Sequence, residues 1–409
     1  MTRDADVIVV GAGPAGAVSA LLLARAGHDV LLLDRHEFPR PKPCGDCLSA
    51  GAVPLLERLG LLHVVTALPA ARIDRWSIIA PGGAAFTAPF DGPDAIAVER
   101  ELLDAALVRA AVGAGVRFLP GTRVRDLAFT GDARRPHVCG VVTTDGTLHA
   151  PLTIGADGLH SIVAVRLGAR GRAGRLRKVS LTYHTDARVA IDGLGEMHCG
   201  DGVCIGIAPV RAHAARCNIT IVADSARFGR DVAADPDAFT LRVAETLPRL
   251  RGRIPAAALT GATRLGSGPF DRPVSRVVFD GAALVGDAAG YFDPFTGQGV
   301  FQAIASAELL APVASAALQG GDVAARALAP YAHARRKLLR QPRLLQRVVE
   351  TVLARPARAD FAIARIARAP RFGRAIIAAT GDVEAPSTLL SPRMLSSFLL
   401  PPRAPEGTG

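Results

Sequence analysis

The hydrophobic positions at the start of the chain fall into three short runs separated by turns. Residues 6–10 form a mostly apolar run that ends in glycine, a pattern typical of a buried parallel strand. Residues 17–26 have a helical composition and stop at Gly27, a residue type that commonly caps helices. Residues 30–33 are again apolar. The pattern therefore predicts a strand, a helix and a second strand in succession.

Farther along, the same periodicity predicts a strand-rich central block and a helical C-terminal part. Helical patterns occupy residues 51–61 and 98–114. Strand-like runs occupy residues 116–119, 124–129, 138–143, 152–154 and 277–285, and residues 179–223 alternate strand-like runs with turns. From residue 299 onward the pattern is mainly helical. Because proline cannot donate a backbone hydrogen bond, we expect it to break these helices. The expected breaks are at Pro312, Pro330, Pro342, Pro356 and Pro370.

The turn after the first predicted strand has the sequence GAGPAG, residues 11–16. Gly11 permits a tight turn, Gly13 lets backbone approach a pyrophosphate, and Gly16 allows close helix–strand packing. The following helix offers free N–H groups and the positive end of its dipole to phosphates. Asp34, at the end of the second strand, is placed to accept hydrogen bonds from ribose hydroxyls. These residues predict a site for the ADP half of a dinucleotide.

A second motif, GDAAGYFDPFTGQG at residues 286–299, favours one dinucleotide over another. A predicted strand ends just before Gly286, and Asp287 can bond the hydroxyls of a polyol such as the ribityl chain. Residues 294–299 lead into a helix that begins near Val300. A helix N-terminus aimed at the flavin pyrimidine edge stabilises negative charge on the reduced ring. The motif favours FAD over NAD. Its distance from the first motif predicts a discontinuous FAD domain with a strand-rich insertion.

Four motifs in this order resemble the FAD-binding group that contains the aromatic-ring hydroxylases and the geranylgeranyl reductases. They are GAGPAG with Asp34, AVERELLDAAL around Arg100, GADGLHS, and GDAAG with DPFTGQG. The resemblance implies an α/β fold: a discontinuous Rossmann-like FAD-binding domain, an inserted, mostly antiparallel β-sheet domain for substrate, and C-terminal helices. The implied bounds are 1–71, 96–177 and 273–325 for the FAD-binding domain, 72–95 and 178–272 for the sheet domain, and 326–409 for the helical segment.

The resemblance also implies which residues contact FAD. They are Gly11, Gly13, Ala15, Gly16, Asp34, Arg35, Cys44, Gly45, Arg100, Val124, Asp157, Gly158, Gly286, Asp287, Pro294, Gly297, Gln298, Gly299 and Val300. Asp157 and Gly158 would form a turn near the route taken by nicotinamide. No second GxGxxG follows in a strand–helix context, so NAD(P)H would dock transiently as the reductant. An external electron donor is equally compatible with the sequence.

The loop PRPKPCGDCLS, residues 39–49, resembles the geranylgeranyl reductase branch, in which Lys-x-Cys-Gly lies beside the flavin. Cys44 is therefore a candidate catalytic residue, the alternative being a loop whose thiol is incidental. Cys44 and Cys47 also form a C-x-x-C pair, a spacing found in redox disulfides. Two features depart from the reductase branch. Residues 203–209, VCIGIAP, contain no aromatic side chain, and Gln298 stands where the reductases usually have glutamate.

The charge of the chain limits its partners. The formal net charge is +11, and twelve Lys or Arg residues lie between Tyr331 and Arg374 against Glu350 and Asp360. Such a balance suits nucleic acid, but a solvated helical face in an arginine-rich chain explains it too, and we expect no nucleic-acid partner. We expect this segment to pack on the FAD domain with its arginines outward. Contact with an anionic membrane surface is the alternative.

The remaining composition predicts an intracellular enzyme without a metal. Six cysteines in 409 residues suggest no secreted disulfide framework. The ten histidines show no metal-ligand spacing, so we expect no metal site. We find neither a signal peptide nor a charge-free apolar run of about 18 residues, so we expect a cytoplasmic protein without a transmembrane helix.

Together these observations predict an FAD-dependent oxidoreductase. The favoured reaction is monooxygenation of the kind used in secondary metabolism, in which NAD(P)H reduces FAD and O2 then hydroxylates a small apolar or aromatic substrate. One alternative is reduction of a double bond, as in geranylgeranyl reductases, and another is a protein that holds flavin without turnover. The inserted domain carries no motif that identifies the substrate.

Overall fold

The computed structural model describes residues 3–131, 136–172, 174 and 177–399. In this part of the chain the strands are β1 Val7–Val10, β2 Val30–Leu33, β3 Cys47–Leu48, β4 Ala71–Ile79, β5 Ala85–Pro89, β6 Ala95–Ala97, β7 Arg117–Leu119, β8 Val124–Thr130, β9 His137–Thr143, β10 Thr147–His149, β11 Leu152–Gly155, β12 Lys178–Thr185, β13 Gly193–Cys199, β14 Val203–Pro209, β15 Cys217–Asp224, β16 Thr263–Ser267, β17 Val278–Phe279 and β18 Ala282–Leu284.

The α-helices in the same described ranges are α1 Pro14–Arg25, α2 Ala52–Arg58, α3 Leu62–Thr66, α4 Arg100–Gly113, α5 Ile162–Arg166, α6 Ser225–Ala234, α7 Pro236–Thr246, α8 Ala257–Thr260, α9 Gly299–Gln319, α10 Ala325–Leu353, α11 Pro356–Ala367, α12 Pro370–Thr380 and α13 Pro392–Leu399. Short 3-10 turns occupy Ala212–Ala214, Gly286–Ala289 and Pro386–Leu390.

A six-stranded sheet in the order β17-β18-β11-β1-β2-β7 forms the central layer of the first part of the fold. Its strands run parallel except for the β17–β18 pair. Helices α1, α4, α9 and α10 cover one face, and α5 with the antiparallel sheet β10-β9-β8 covers the other. Because both faces are covered, every residue of β1 and β2 is buried, which explains their uninterrupted apolar sequences. This arrangement confirms the α/β fold class.

A larger sheet in the order β16-β12-β15-β14-β13-β4-β6-β3, with β5 paired to β4, forms the second part of the fold. Its neighbouring strands are antiparallel except for β13 and β4. Helices α6, α7 and α8 cover one face. Strand β3 lies inside the predicted range 1–71 and β6 straddles residue 96, yet both pair within this sheet. The boundaries of the predicted domains stay predictions.

Helices α9 to α13 confirm the predicted C-terminal helices, but the expected proline breaks are partly wrong. Pro312 lies inside α9, and Pro330 and Pro342 lie inside α10. An interior proline costs about 3 kcal/mol through its missing N–H and a clash. Long helices with buried faces offset that cost. Pro356 and Pro370, in contrast, begin α11 and α12, where the missing N–H needs no partner.

Helix α9, within the described ranges, is long and apolar enough by composition to span a membrane. More than half of its most apolar stretch is buried within the protein, where it packs against α1 and α10. The hydrophobicity of α9 is therefore that expected of a central core helix, a type of helix that passes the same test.

A cavity between the two sheets as the candidate functional site

A cavity of about 920 Å³ lies at the carboxyl edge of the parallel sheet and is closed by the larger sheet. This edge is where open α/β sheets bind ligands. Most of the residues predicted to contact FAD line it: Gly11, Gly13, Ala15, Asp34, Arg35, Cys44, Gly45, Arg100, Val124, Asp157, Gly158, Gly286, Asp287, Pro294, Gly297, Gly299 and Val300. Gly16 and Gln298 are not among the lining residues.

The glycines of GAGPAG bring backbone segments together at the floor of the cavity. Gly11 has φ +99°, and a Cβ there would lie 2.5 Å from the carbonyl oxygen of Ala156. A Cβ on Gly16 would lie 1.8 Å from the carbonyl oxygen of Gly11. Gly16 therefore serves the close packing of α1 on β1. The N-terminus of α1 consequently points its free N–H groups at the cavity.

Asp34 lies at the carboxyl end of β2, buried at the cavity wall. Its Oδ2 accepts a hydrogen bond from the N–H of Ala12 at 2.9 Å, and its Oδ1 accepts one from His36 at 3.0 Å. These bonds fix the carboxylate between the glycine turn and the end of β2. Lone pairs that the two N–H groups leave free can accept hydrogen bonds from a ribose.

Two arginines converge on Gly13, and sequence reasoning had found only one of them. Arg100 donates from Nε and Nη2 to Asp104 at 2.8 and 2.9 Å. Arg40 lies with Nη2 3.4 Å from Asp104 and 3.6 Å from Asp34. A Cβ on Gly13 would lie 3.9 Å from Nη2 of each arginine. A pyrophosphate on Gly13 would thus meet two guanidinium groups. In the sequence, the position of Arg40 in the proline-rich loop could have indicated that it lies near the phosphates.

Arg40 also has an unsatisfied donor. Its Nε is buried without a hydrogen-bond partner in the described structure. A buried donor of this kind is costly unless a ligand or water completes it. This orphaned group, the cradle at Gly13 and the size of the cavity all fit the phosphates of a dinucleotide.

Asp287 and Lys42 lie deeper along the same cavity. Burial raises the pKa of Asp287, and the charges of Lys42 and Arg100 oppose that rise. Burial and the nearby charge of Arg100 lower the pKa of Lys42. Nζ of Lys42 lies 3.6 Å from the position of a Cβ on Gly158. The ammonium group of Lys42 thus lies near both Asp287 and the predicted turn at Asp157 and Gly158. In the sequence, its place in the Lys-x-Cys-Gly motif could have indicated this role.

Two predicted contacts use their side chains elsewhere. The carboxylate of Asp157 accepts hydrogen bonds from Ser161 Oγ at 2.5 Å and from the N–H of Ile162 at 2.7 Å, so it caps the start of α5. The amide Nε2 of Gln298 donates to Oδ1 of Asp382 at 2.6 Å, outside the cavity. The side chain of Gln298 is thus bonded within the protein, and its contact with the cofactor stays a prediction. The first turn of a helix can point a side chain away from the ligand that its backbone faces.

The two cysteines of the C-x-x-C pair both line the cavity and are free thiols. Burial raises the pKa of Cys44, and the nearby positive charge of Arg100 partly opposes the rise. Burial also raises the pKa of Cys47 to about 12. Disulfide exchange requires thiolates, so both environments oppose it. They suit a thiol that keeps its proton.

The inserted sheet supplies the opposite wall, which no sequence motif had marked. Ser180, Thr182 and Thr220 line the cavity from β12 and β15. Phe270 and Tyr291 also line the cavity, with ring centroids 5.7 Å apart and ring planes tilted by 57°. Alternation along a strand directs these side chains to one face, but which face meets a cofactor depends on docking of the two sheets. In the described ranges, no group of three or more His, Cys, Asp or Glu side chains is placed to hold a metal ion.

Comparison with known proteins shows the family of the chain. Residues 4–343 match the family model described as FAD binding domain, and the chain belongs to this family. The menaquinone reductase of Mycobacterium tuberculosis is 30% identical over 334 residues, 75% of this chain and 76% of the relative. The digeranylgeranylglycerophospholipid reductase of Methanoculleus marisnigri is 28% identical over 340 residues, 81% of each chain. The protein is an FAD-dependent oxidoreductase.

Solved structures share the fold. PqsL of Pseudomonas aeruginosa, in complex with 2-aminobenzoylacetate, superimposes with a TM-score of 0.73 and 23% identity, covering 87% of this chain and 98% of its own. A geranylgeranyl bacteriochlorophyll reductase-like protein of Thermoplasma acidophilum gives 0.72 and 21%, covering 89% and 91%. At such identities the likeness establishes the fold alone, and the reaction must be argued from the site.

Proposed function

We propose that this protein reduces carbon–carbon double bonds of an isoprenoid chain, with FAD as cofactor and NAD(P)H as transient reductant. The observation that carries the proposal is the Cys44 thiol, which lines the cavity and lies near the positive charge of Arg100. Hydroxylation, which the sequence favoured, gives such a thiol no task. Reduction of an alkene requires a proton donor beside the substrate.

The chemistry asked of the chain is a proton transfer opposite a hydride transfer. Reduced FAD, when bound, supplies the hydride to one alkene carbon. Cys44 supplies the proton to the other carbon: the S–H bond breaks, a C–H bond forms, and the electron pair stays on sulfur. The guanidinium of Arg100 stabilises the resulting thiolate, and a proton from solvent then restores the thiol. The net reaction consumes one NAD(P)H and one proton for each double bond.

The substrate class comes from the curated relatives. One is named for menaquinone and the other for a digeranylgeranylglycerophospholipid, and both molecules carry isoprenoid chains with isolated double bonds. Their likeness extends over 75% and 81% of this chain. An apolar chain would pack on Phe270 and Tyr291 in the cavity. The cytoplasmic address remains part of this proposal.

Hydroxylation by O2 is the second candidate, because both departures from the reductase branch hold in three dimensions. Strand β14, Val203–Pro209, brings no aromatic side chain to the larger sheet. Gln298 is an amide and has no carboxylate, and its Nε2 is bonded to Asp382 outside the cavity. A wall of small polar side chains such as Thr182 and Thr220 would also accept a compact aromatic substrate.

The deciding experiment is anaerobic turnover of the purified holoenzyme with NADH or NADPH and with menaquinone or a geranylgeranyl ether lipid. We expect products that gain two hydrogen atoms for each reduced bond, seen by mass spectrometry. A product that appears only in air and gains one oxygen atom, with matching O2 consumption, would establish hydroxylation instead. Bound flavin with no NAD(P)H oxidation on any substrate would indicate a flavin-holding protein.

The role of Cys44 is tested by replacing its thiol with a weaker acid. Cys44→Ser should retain FAD and lower kcat by about 100-fold or more, since a positioned general acid contributes 10²–10⁴-fold. Cys139→Ser is the matched control, because Cys139 lies on β9 in the three-stranded sheet, outside the cavity lining. Equal turnover of both variants would remove Cys44 from the reaction.

A further inference from the structure

Asp46 is a buried carboxylate with an unusual backbone, located between the two cysteines of the loop. Its φ is +57°, in the left-handed region that non-glycine residues rarely adopt, and its side chain is fully buried. Oδ1 accepts a hydrogen bond from the N–H of Arg100 at 3.1 Å. Oδ2 accepts one from Asn218 Nδ2 at 2.6 Å and contacts Nε2 of His184. Contacts of this number hold a strained residue in place.

The partners of Asp46 hold Cys44 from two sides. Nδ2 of Asn218 also donates to the carbonyl oxygen of Cys44 at 2.7 Å. Arg100, whose backbone N–H binds Asp46, brings the positive charge of its guanidinium near the Cys44 thiol. The peptide of Cys44 is thus fixed by the larger sheet, and its sulfur lies near a charged side chain of α4. Asp46 is the residue common to both.

The same network reaches the cavity surface. Oδ1 of Asn218 accepts a hydrogen bond from Thr220 Oγ1 at 2.7 Å, and Thr220 lies 3.1 Å from the hydroxyl of Thr182. Both threonines line the cavity. A continuous set of hydrogen bonds therefore runs from the cavity wall at Thr182 and Thr220 through Asn218 and Asp46 to His184.

His184 completes the network through its contact with Asp46. Burial lowers its pKa, but the hydrogen bond and charge of Asp46, with the charge of Glu99, raise the pKa above the ordinary value; Arg216 opposes them. These are the charged groups that face His184. When the imidazole is protonated, it and the carboxylate form a pair without net charge behind Cys44.

We propose that Asp46 and His184 form a positioning pair that holds Cys44 in the cavity wall and sets the charge around its thiol. The pair's value in catalysis rests on the proposed function, because only a proton-donating Cys44 must be kept protonated. Neither residue lines the cavity. The negative charge of Asp46 raises the pKa of Cys44. A protonated His184 would offset part of that charge, because its Nε2 contacts Oδ2 of Asp46.

The test is the pH profile of Cys44 alkylation by iodoacetamide in the holoenzyme, followed by mass spectrometry of the Cys44 peptide. Asp46→Asn removes the negative charge, so the profile should move to lower pH and alkylation at neutral pH should become several-fold faster. His184→Gln keeps a donor for Asp46 but leaves the carboxylate uncompensated. Its profile should therefore move to higher pH, opposite to that of Asp46→Asn.

A purely structural role makes a different prediction. Loosening the loop would expose Cys44 and speed alkylation at every pH in both variants, with no opposite movement of the midpoints. That outcome, or an unmoved profile for His184→Gln, overturns the proposal. His184→Gln alone decides if Asp46→Asn does not fold, because the direction of its movement is itself specific.

The chain offers a matched control. His198 and Glu196 form a second buried histidine–carboxylate pair in the larger sheet, with Nε2 and Oε1 3.4 Å apart and Glu196 bonded to Arg253 at 2.7 Å. Glu196→Gln should leave the Cys44 profile unchanged, and an equal movement there would also overturn the proposal. Alkylation needs no substrate. If Cys44→Ser keeps full activity while the profiles move as expected, the proposed function fails and the pair stands.

Discussion

The carboxylates around the cavity have different tasks, which their hydrogen bonds distinguish. Asp34 is held by two backbone N–H groups. Asp157 caps a helix, and Asp46 fastens a loop. Asp287 instead lies in the cavity wall between the charges of Lys42 and Arg100. At the scale of single residues, Asp34 and Asp287 can therefore accept hydrogen bonds from a ligand, whereas Asp157 and Asp46 are committed to contacts within the protein.

Replacing Asp287 tests its assignment to the ribityl chain of FAD. Asp287→Ala should weaken FAD binding by about 2 kcal/mol, or roughly 30-fold, because hydrogen bonds to a charged group are lost. Asp287→Asn keeps part of the hydrogen bonding and should retain more flavin. The ratio of flavin to protein absorbance after gel filtration measures both. An alanine variant with a full complement of flavin would place the ribityl chain elsewhere.

At the scale of elements, the turn after α12 connects the loop at residues 39–49 with the motif at residues 286–299. Asp382 accepts hydrogen bonds from Gln298 at 2.6 Å and from Ser49 Oγ at 2.8 Å. Gly51 packs on the same turn, where a Cβ would lie 2.2 Å from the carbonyl oxygen of Asp382. The C-terminal helices thus contact both the Cys44 loop and the start of α9.

Asp382 makes this junction dependent on pH. Burial raises its pKa to about 7. Because the folded state keeps the proton longer than the unfolded state, its contribution to stability is complete at low pH and declines as pH rises from the unfolded value to about 7. Asp382→Asn lacks this titration. Its melting temperature relative to the unsubstituted protein should increase between about pH 5 and about pH 8. A constant difference would mean that Asp382 titrates normally.

At the scale of the whole molecule, three parts of the chain meet at one buried lysine. Lys178 lies on β12 of the larger sheet. Its Nζ is 3.1 Å from Oδ2 of Asp293, in the motif at residues 286–299, and 2.5 Å from Oε2 of Glu350 on α10. The two carboxylates raise the pKa of Lys178 to about 12, although burial alone lowers it. Burial and Asp293 raise the pKa of Glu350 to about 6.

Removing this lysine leaves two buried carboxylates without a cation. Lys178→Met should lower the free energy of unfolding by roughly 3–5 kcal/mol, the cost of breaking a buried pair. Lys178→Arg keeps the charge and should lose much less. The penalty of Lys178→Met should shrink at about pH 5, where Glu350 is protonated. Denaturant unfolding at two pH values measures this, and equal stability of the Met and Arg variants would contradict it.

The sequence by itself determined the parallel α/β unit, the FAD motifs and the C-terminal helices. These depend on local rules: apolar periodicity, glycines where backbone must approach backbone, and a carboxylate at the end of a strand. The predicted contacts at Gly11, Asp34 and Arg100 came from local motifs, and all three line one cavity.

Only the tertiary structure decided what completes the site. Arg40 lies beside Arg100, and Asp46 beside His184, although 138 residues separate the latter two. No spacing rule predicts such neighbours, because they arise where one sheet docks on another. Likewise, Gln298 faces Asp382 because the C-terminal helices fold back on the cofactor loops. Local patterns specify elements and backbone turns, whereas the charges around a buried thiol depend on how distant elements pack.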